Sequence, residues 1–148
     1  MPIRAREERY PLDREVHGLT VLPRERRGDA GVYGPGNEAL VKQLRANGVE
    51  AAYLDEPHRR RWLELLGGDV TPDLIFAVGT GILSSALWSA VVAVLERVFG
   101  AKRKVRVNLV RQSRDERGAL RNEWLEYEGP VEGLREAVGS VSHTHDDG

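Results

Sequence analysis

The side chains able to do chemistry are few, and "DLIFAVGTGILSS", residues 73 to 85, holds the first of them. It has the outline of a strand, a Gly79-Thr80-Gly81 turn and a helix whose first amides could hold a phosphate. The fingerprint is partial: its third small position falls on Ser84, and the strand after the helix ends in Arg111 and Gln112 where a ribose-binding acid is wanted. Ser84 and Ser85 have no Gly-x-Ser-x-Gly around them, so a bond back to the preceding helical turn is their simpler role. His143 and His145 stand in "HTHDD", a terminal tail without a scaffold, which favours solvation over metal capture. There is no cysteine, hence no disulfide, thiolate nucleophile or Cys-based metal site. No catalytic residue, metal or cofactor is therefore assigned.

Charge carries more information than any catalytic pattern. The 22 Lys and Arg against 23 Asp and Glu leave a net charge of −1, so no overall field draws the chain to nucleic acid or anionic lipid. Glu123, Glu126, Glu128, Glu132 and Glu136 read as an acidic surface around a hairpin and a last helix. The basic clusters RERR at 24 to 27, HRRR at 58 to 61 and KRK at 102 to 104 could meet such a face on a neighbour. Trp62, directly after the arginines, reads as the core anchor of an amphipathic helix rather than a base-stacking surface.

The elements that must position these groups follow from spacing. Residues 1–34 are polar and broken by Pro2, Pro11 and Pro23, and read as a loose arm with one short strand at Leu19 to Leu22. A single domain spans 35–139, and 140–148 forms a disordered tail. NEALVKQLRANG predicts a helix with Leu40, Val41 and Leu44 on one face, Asn37 as cap and Gly48 as left-handed exit. VEAAYL follows as a strand parallel to the first. EPHRRRWLELLGG predicts a helical turn or two presenting Trp62, Leu65 and Leu66. VRVNLVRQ and EWLEYE alternate as an antiparallel hairpin around the charged loop SRDERGALR, and VEGLREAV is a closing helix.

From Leu74 to Leu95 no side chain is charged, and three structures fit. A membrane span fits by length, but Lys and Arg lie on both sides and leave the orientation signal divided. The phosphate loop is the second. A helix with a break is favoured: Thr71-Pro72-Asp73 supplies a capping hydroxyl, a first-turn proline and an acid at the positive end of the dipole. Gly79 and Gly81 then interrupt a helix that resumes at Ile82 and runs to Phe99. On it Gly81, Ser85 and Ser89 share a stripe of small residues with Trp88 beside it, a face suited to close helix packing.

"PDLIFAVGTGILSSALWSAVVAVLERVFG" leading into "KVRVNLVR", within the strand and helix order of residues 49 to 138, resembles the effector-associated constant component family of bacterial conflict systems. The resemblance implies a non-catalytic accessory module, with no active site to carry over beyond the Gly79/Gly81 break and the apolar helix. The expected fold is α+β, a small mixed or antiparallel sheet against a long central apolar helix. The expected function is protein interaction, with a separately encoded effector or by self-assembly through Gly79, Gly81, Ser85, Trp88 and Ser89. A cytoplasmic location and no nucleic acid partner go with it; the alternatives are an inner-membrane anchor at 74–95 and a nucleotide-phosphate domain at the Gly79 turn.

Overall fold

The computed structural model describes residues 4–34, 36–62, 71–79 and 85–137. Among them the order is β1 (Arg4–Ala5), β2 (Leu19–Val21), β3 (Glu25–Arg27), β4 (Ala30–Tyr33), α1 (Asn37–Ala46), β5 (Ala51–Tyr53), a 3-10 turn (Pro57–Arg59), β6 (Arg60–Trp62), β7 (Asp73–Val78), α2 (Ser85–Phe99), β8 (Lys104–Arg114), β9 (Leu120–Pro130) and a closing 3-10 turn (Val131–Gly133). The class is α+β. A six-stranded mixed sheet runs β1-β9-β8-β7-β2-β5, and a separate three-stranded sheet runs β3-β4-β6.

The expected strand, helix and strand over residues 19 to 54 form as a parallel β2–β5 pair joined by α1, whose Leu40, Val41 and Leu44 are buried. Gly48, at φ 82, makes the left-handed exit that a residue with a Cβ resists. Asn37 does not cap: it is the first helical residue, and its side-chain amide donates to the Gly34 carbonyl. The hairpin also forms, with β8 and β9 paired antiparallel from Lys104↔Pro130 to Arg114↔Leu120.

The uncharged stretch departs from expectation. Asp73–Val78 is a strand, antiparallel to β2 and parallel to β8, and not the first half of a broken helix. Its side chains are buried on both faces of the sheet: Leu74, Phe76 and Val78 join the cluster with α1 and α2, while Ile75 and Ala77 join one with Tyr10, Leu12, Val16 and Trp124. Burial on both faces removes the polar half of the alternation, so the strand reads as an unbroken apolar run. The proline that resembles a helix start instead enters the strand, where the Pro72 carbonyl accepts from the Arg106 amide at 2.8 Å.

Two further expectations fall with it. Residues 74 to 95 begin in a strand, so they do not make one membrane-spanning helix, and no described helix is long and apolar enough to cross a bilayer. Nor do the described residues show a long central apolar helix: α2 has 15 residues and packs beside α1 over one face of the larger sheet. The turn of helix expected around Trp62 is a 3-10 turn followed by strand β6; Leu65 and Leu66 lie outside the described residues, as does the tail 140–148.

Residues 4–34 carry four strands rather than one, and they cover the second sheet face. Arg9 sets both carboxylate oxygens of buried Asp73 within 3.0 and 2.8 Å of Nη1. Asn108, expected on the polar side of its strand, is wholly buried; it accepts from Arg6 and donates to Asp73 at 3.2 Å. Gln112 holds the Val16 amide and the Arg14 carbonyl. With polar groups at strand positions 73, 108 and 112 paired to this segment, the cover is specific as well as apolar. Replacing Tyr10 with Ala should therefore lower the unfolding free energy by about 3 kcal/mol or more, as truncation of a packed aromatic does. A urea midpoint within error of the parent's would show that residues 4–16 do not close the core.

Candidate interaction surface

The small sheet gathers two of the three basic runs. RERRGDAGVY folds as the β3–β4 hairpin, with Arg27 opposite Ala30 across the two-residue turn Gly28-Asp29. Gly28 has φ 63, the positive value that such a turn requires at its first position. β6 then pairs parallel to β4, setting Gly31 against Arg60 and Tyr33 against Trp62. Because side chains alternate, Arg60 and Trp62 share one face of β6, and Arg61 takes the other.

Under that face lies Asp55, its side chain only 2% exposed. The Arg26 guanidinium spans both its oxygens, at 2.8 and 3.3 Å, and the Tyr33 hydroxyl donates to Oδ2 at 2.9 Å. Three bonds to one carboxylate offset its loss of water. Gly31 has no room for a side chain, since an added Cβ would collide with the Asp55 carboxylate. The Arg60 Nε–H donates to the Asp55 carbonyl at 2.8 Å, and the Arg60 guanidinium carbon sits 3.9 Å from the centre of the Tyr53 ring.

Three aromatic rings complete the surface. Tyr33 meets Tyr53 edge-on at 5.4 Å and Trp62 at 5.6 Å, and Tyr53 meets Trp62 at 90° and 5.8 Å. These are contact separations, which leave no cage between the rings. Tyr33 is wholly buried, whereas Trp62 is 42% exposed, the large hydrophobic residue left at the surface among the described residues. Its expected role as a core anchor is thus corrected: it stands on an edge strand with its base packed and its outer part free.

Of the residues expected at the interaction face, Gly79, Trp88 and Ser89 are described, and they do not share one surface. Gly79 lies at the end of β7 against the Val16–Gly18 backbone, where its amide donates to the Gly18 carbonyl at 3.1 Å and an added Cβ would meet the Val16 carbonyl. Trp88 is buried in the core beneath α2, and Ser89 is exposed on the opposite side. Gly81 lies outside the described residues, as does the side chain of Ser85. The order β7, α2, parallel β8 matches that of phosphate-loop folds, but the other neighbour of β7 is antiparallel β2. The crevice between two parallel strands whose helices diverge, where such folds bind nucleotides, does not form beside it.

The acidic surface expected on the hairpin is largely consumed within the molecule. Glu123 pairs with Arg111, Glu126 with Arg6, and Glu128 with Lys104 and Arg106. Glu132 and Glu136 remain exposed. Among the described residues no group of three His, Asp or Glu could hold a metal. No family model, curated protein or solved structure matches this chain.

Two measurements probe this arrangement. Burial, with the Asp55 charge adding to it, pushes the Tyr33 hydroxyl well above its ordinary 10.0, and burial does the same for Tyr10. The unfolded chain releases these protons from pH 10 while the folded chain keeps them, so their stabilisation is complete below pH 10 and declines as pH rises further. Unfolding free energy should fall above that pH, less steeply in Tyr33→Phe; tyrosinate absorbance showing all four tyrosines ionising at the ordinary value would contradict the burial. Separately, Ser89→Leu on the exposed side of α2 should change stability by no more than about 0.5 kcal/mol and leave the mass in light scattering unaltered. A new oligomeric state would return the α2 face to consideration as an interface.

Proposed function

We propose that the chain is a non-catalytic interaction module that docks a partner protein at the β6 edge of the small sheet, around Trp62. The observation that carries this reading is Trp62, 42% exposed and braced by Tyr33 and Tyr53. Tryptophan, tyrosine and arginine dominate binding hot spots, and a ring already fixed by its neighbours loses little freedom on binding. The polar groups around it support binding over chemistry: Asp55 is closed off by Arg26, and the Tyr33 hydroxyl is engaged with Asp55. Gly79's amide is spent on the Gly18 carbonyl, which argues against a phosphate-binding turn starting there.

The resemblance to effector-associated constant components suggests where to look for that partner, in an effector encoded beside this chain. The relevant pattern is the apolar helix running into a Val-x-Val-x-Leu strand, here α2 and β8. Self-assembly through the same surface is the homotypic form of the reading. Co-expression with a neighbouring effector should yield a complex that Trp62→Ala weakens by about 30-fold, the effect of losing a hot spot worth 2 kcal/mol. Melting temperature and circular dichroism of the variant should match the parent. A complex indifferent to Trp62→Ala would move the docking face elsewhere.

A further inference from the structure

We infer that Arg60 reads a carboxylate on an acidic segment of the docking partner, while Trp62 takes the apolar side chain next to it. This rests on the reading of the small sheet as the docking face and adds the chemistry of what binds there.

Arg60 is oriented before any ligand arrives. Its Nε–H is committed to the Asp55 carbonyl at 2.8 Å, and its guanidinium carbon sits over the Tyr53 ring, 3.9 Å from the centre. Among the described residues neither terminal nitrogen of Arg60 has a hydrogen-bond or ion-pair partner. What remains is a fixed fork of donors, the shape that takes two oxygens of a carboxylate. Arg60 and Trp62 are two residues apart on one face of β6, a separation of about 6.6 Å along a strand, so one short extended segment can reach both.

The surrounding charge selects the sign of the ligand. Among the described residues, Asp55, whose backbone carbonyl takes the Arg60 Nε–H, has its buried carboxylate already spanned by Arg26, so that carboxylate does not answer Arg60. Glu56 lies 3.5 Å from His58. Arg61 directs Nη1 to the His58 and Arg60 carbonyls, leaving its charge at the surface, and Arg59 is likewise exposed. An approaching carboxylate meets Arg60 directly, and the exposed Arg59 and Arg61 beside it add positive charge that disfavours a lysine-rich segment. A polynucleotide would also meet positive charge, but a single exposed ring offers no succession of stacking platforms, and the net charge of −1 supplies no wider field.

The test follows the indole N–H resonance of Trp62, assigned by its loss in Trp62→Phe, during titration of the full chain with four probes. These are a capped hexapeptide alternating Glu and Leu, its Lys-Leu and Glu-Gly counterparts, and oligothymidylate. The Glu-Leu peptide should shift the resonance, the Glu-Gly peptide should bind more weakly, and the Lys-Leu peptide should not bind. Arg60→Gln should weaken Glu-Leu binding at least about tenfold, and Arg60→Lys should recover only part of it, because an ammonium keeps the charge without the fork. If Arg60→Gln does not fold, the comparison of Glu-Leu with Lys-Leu on the parent chain decides. Equal binding of the lysine peptide, or no effect of Arg60→Gln, overturns the carboxylate assignment while a Trp62 response preserves the docking face. Displacement by oligothymidylate assigns the surface to nucleic acid and overturns it too. A partner complex that depends on Trp62 but is unmatched by any acidic probe sinks this inference alone, whereas a complex indifferent to Trp62 sinks the docking reading beneath it.

Discussion

Much of the structure depends on one constraint: β7 is buried on both faces while carrying a carboxylate at its first position. Leu74, Phe76 and Val78 are covered by α1 and α2, and Ile75 and Ala77 need a second cover. Residues 4–16 supply it, and the way they do so is dictated by Asp73. A carboxylate with 5% of its side chain exposed is tolerable only if answered, and Arg9 answers it with both oxygens in reach and Asn108 completing the set. The apolar cover and the ion pair fix the same segment in the same register. Removing either leaves the other group in the wrong environment.

The same device recurs at the small sheet. Asp55, like Asp73, is a buried acid answered by an arginine from the first thirty residues, here Arg26. In both places the acid is the fixed point and the arginine joins distant parts of the chain, across 64 residues in one case and 29 in the other. The arrangement also explains an asymmetry of charge. Among the described residues, the arginines of the small sheet stand at the surface where the acid beside them has been drawn inside. Among the described residues Arg59, Arg60 and Arg61 have no carboxylate partner, Asp55 being turned inward to Arg26, while Lys104, Arg106 and Arg111 are occupied by Glu126, Glu128 and Glu123.

What was legible in the sequence divides along physical lines. The β2–α1–β5 unit and the β8–β9 hairpin each have one face toward the core or a turn with its own chemistry, so period and glycine placement announce them. β7 has no solvent face and no period, and Thr71-Pro72-Asp73 imitates a helix start because the residues that cap a dipole also suit a strand entry with a buried acid. Residues 4–16 looked loose because charged residues are frequent there. The apolar minority, Tyr10, Leu12 and Val16, does the covering, and Arg6 and Arg9 pair inward. The proposed docking face was hidden for a different reason. Tyr33 and Trp62 come from paired strands of the small sheet and Tyr53 from β5 of the larger one, and only their packing brings the rings within 6 Å; the Gly28-Asp29 turn signal lay within residues read as a loose arm with one strand.

The rigidity of that face follows from the buried acid rather than from the aromatic rings themselves. Gly31 must lack a side chain because the Asp55 carboxylate occupies the space, and this lets Tyr33, two residues on and on the same face, bring its hydroxyl to Oδ2. Tyr33 thereby fixes the ring against which Trp62 leans. Through its carbonyl the same aspartate holds Arg60 over Tyr53. One residue with almost no surface of its own thus sets the position of the two side chains that have it. Such coupling lowers the entropy lost on binding, because the rotamers of the indole and the guanidinium are chosen by the fold before a partner arrives. An exposed tryptophan on a flexible segment would present the same area with none of that advantage, which is why the proposed docking role rests on the bracing of Trp62 more than on its exposure.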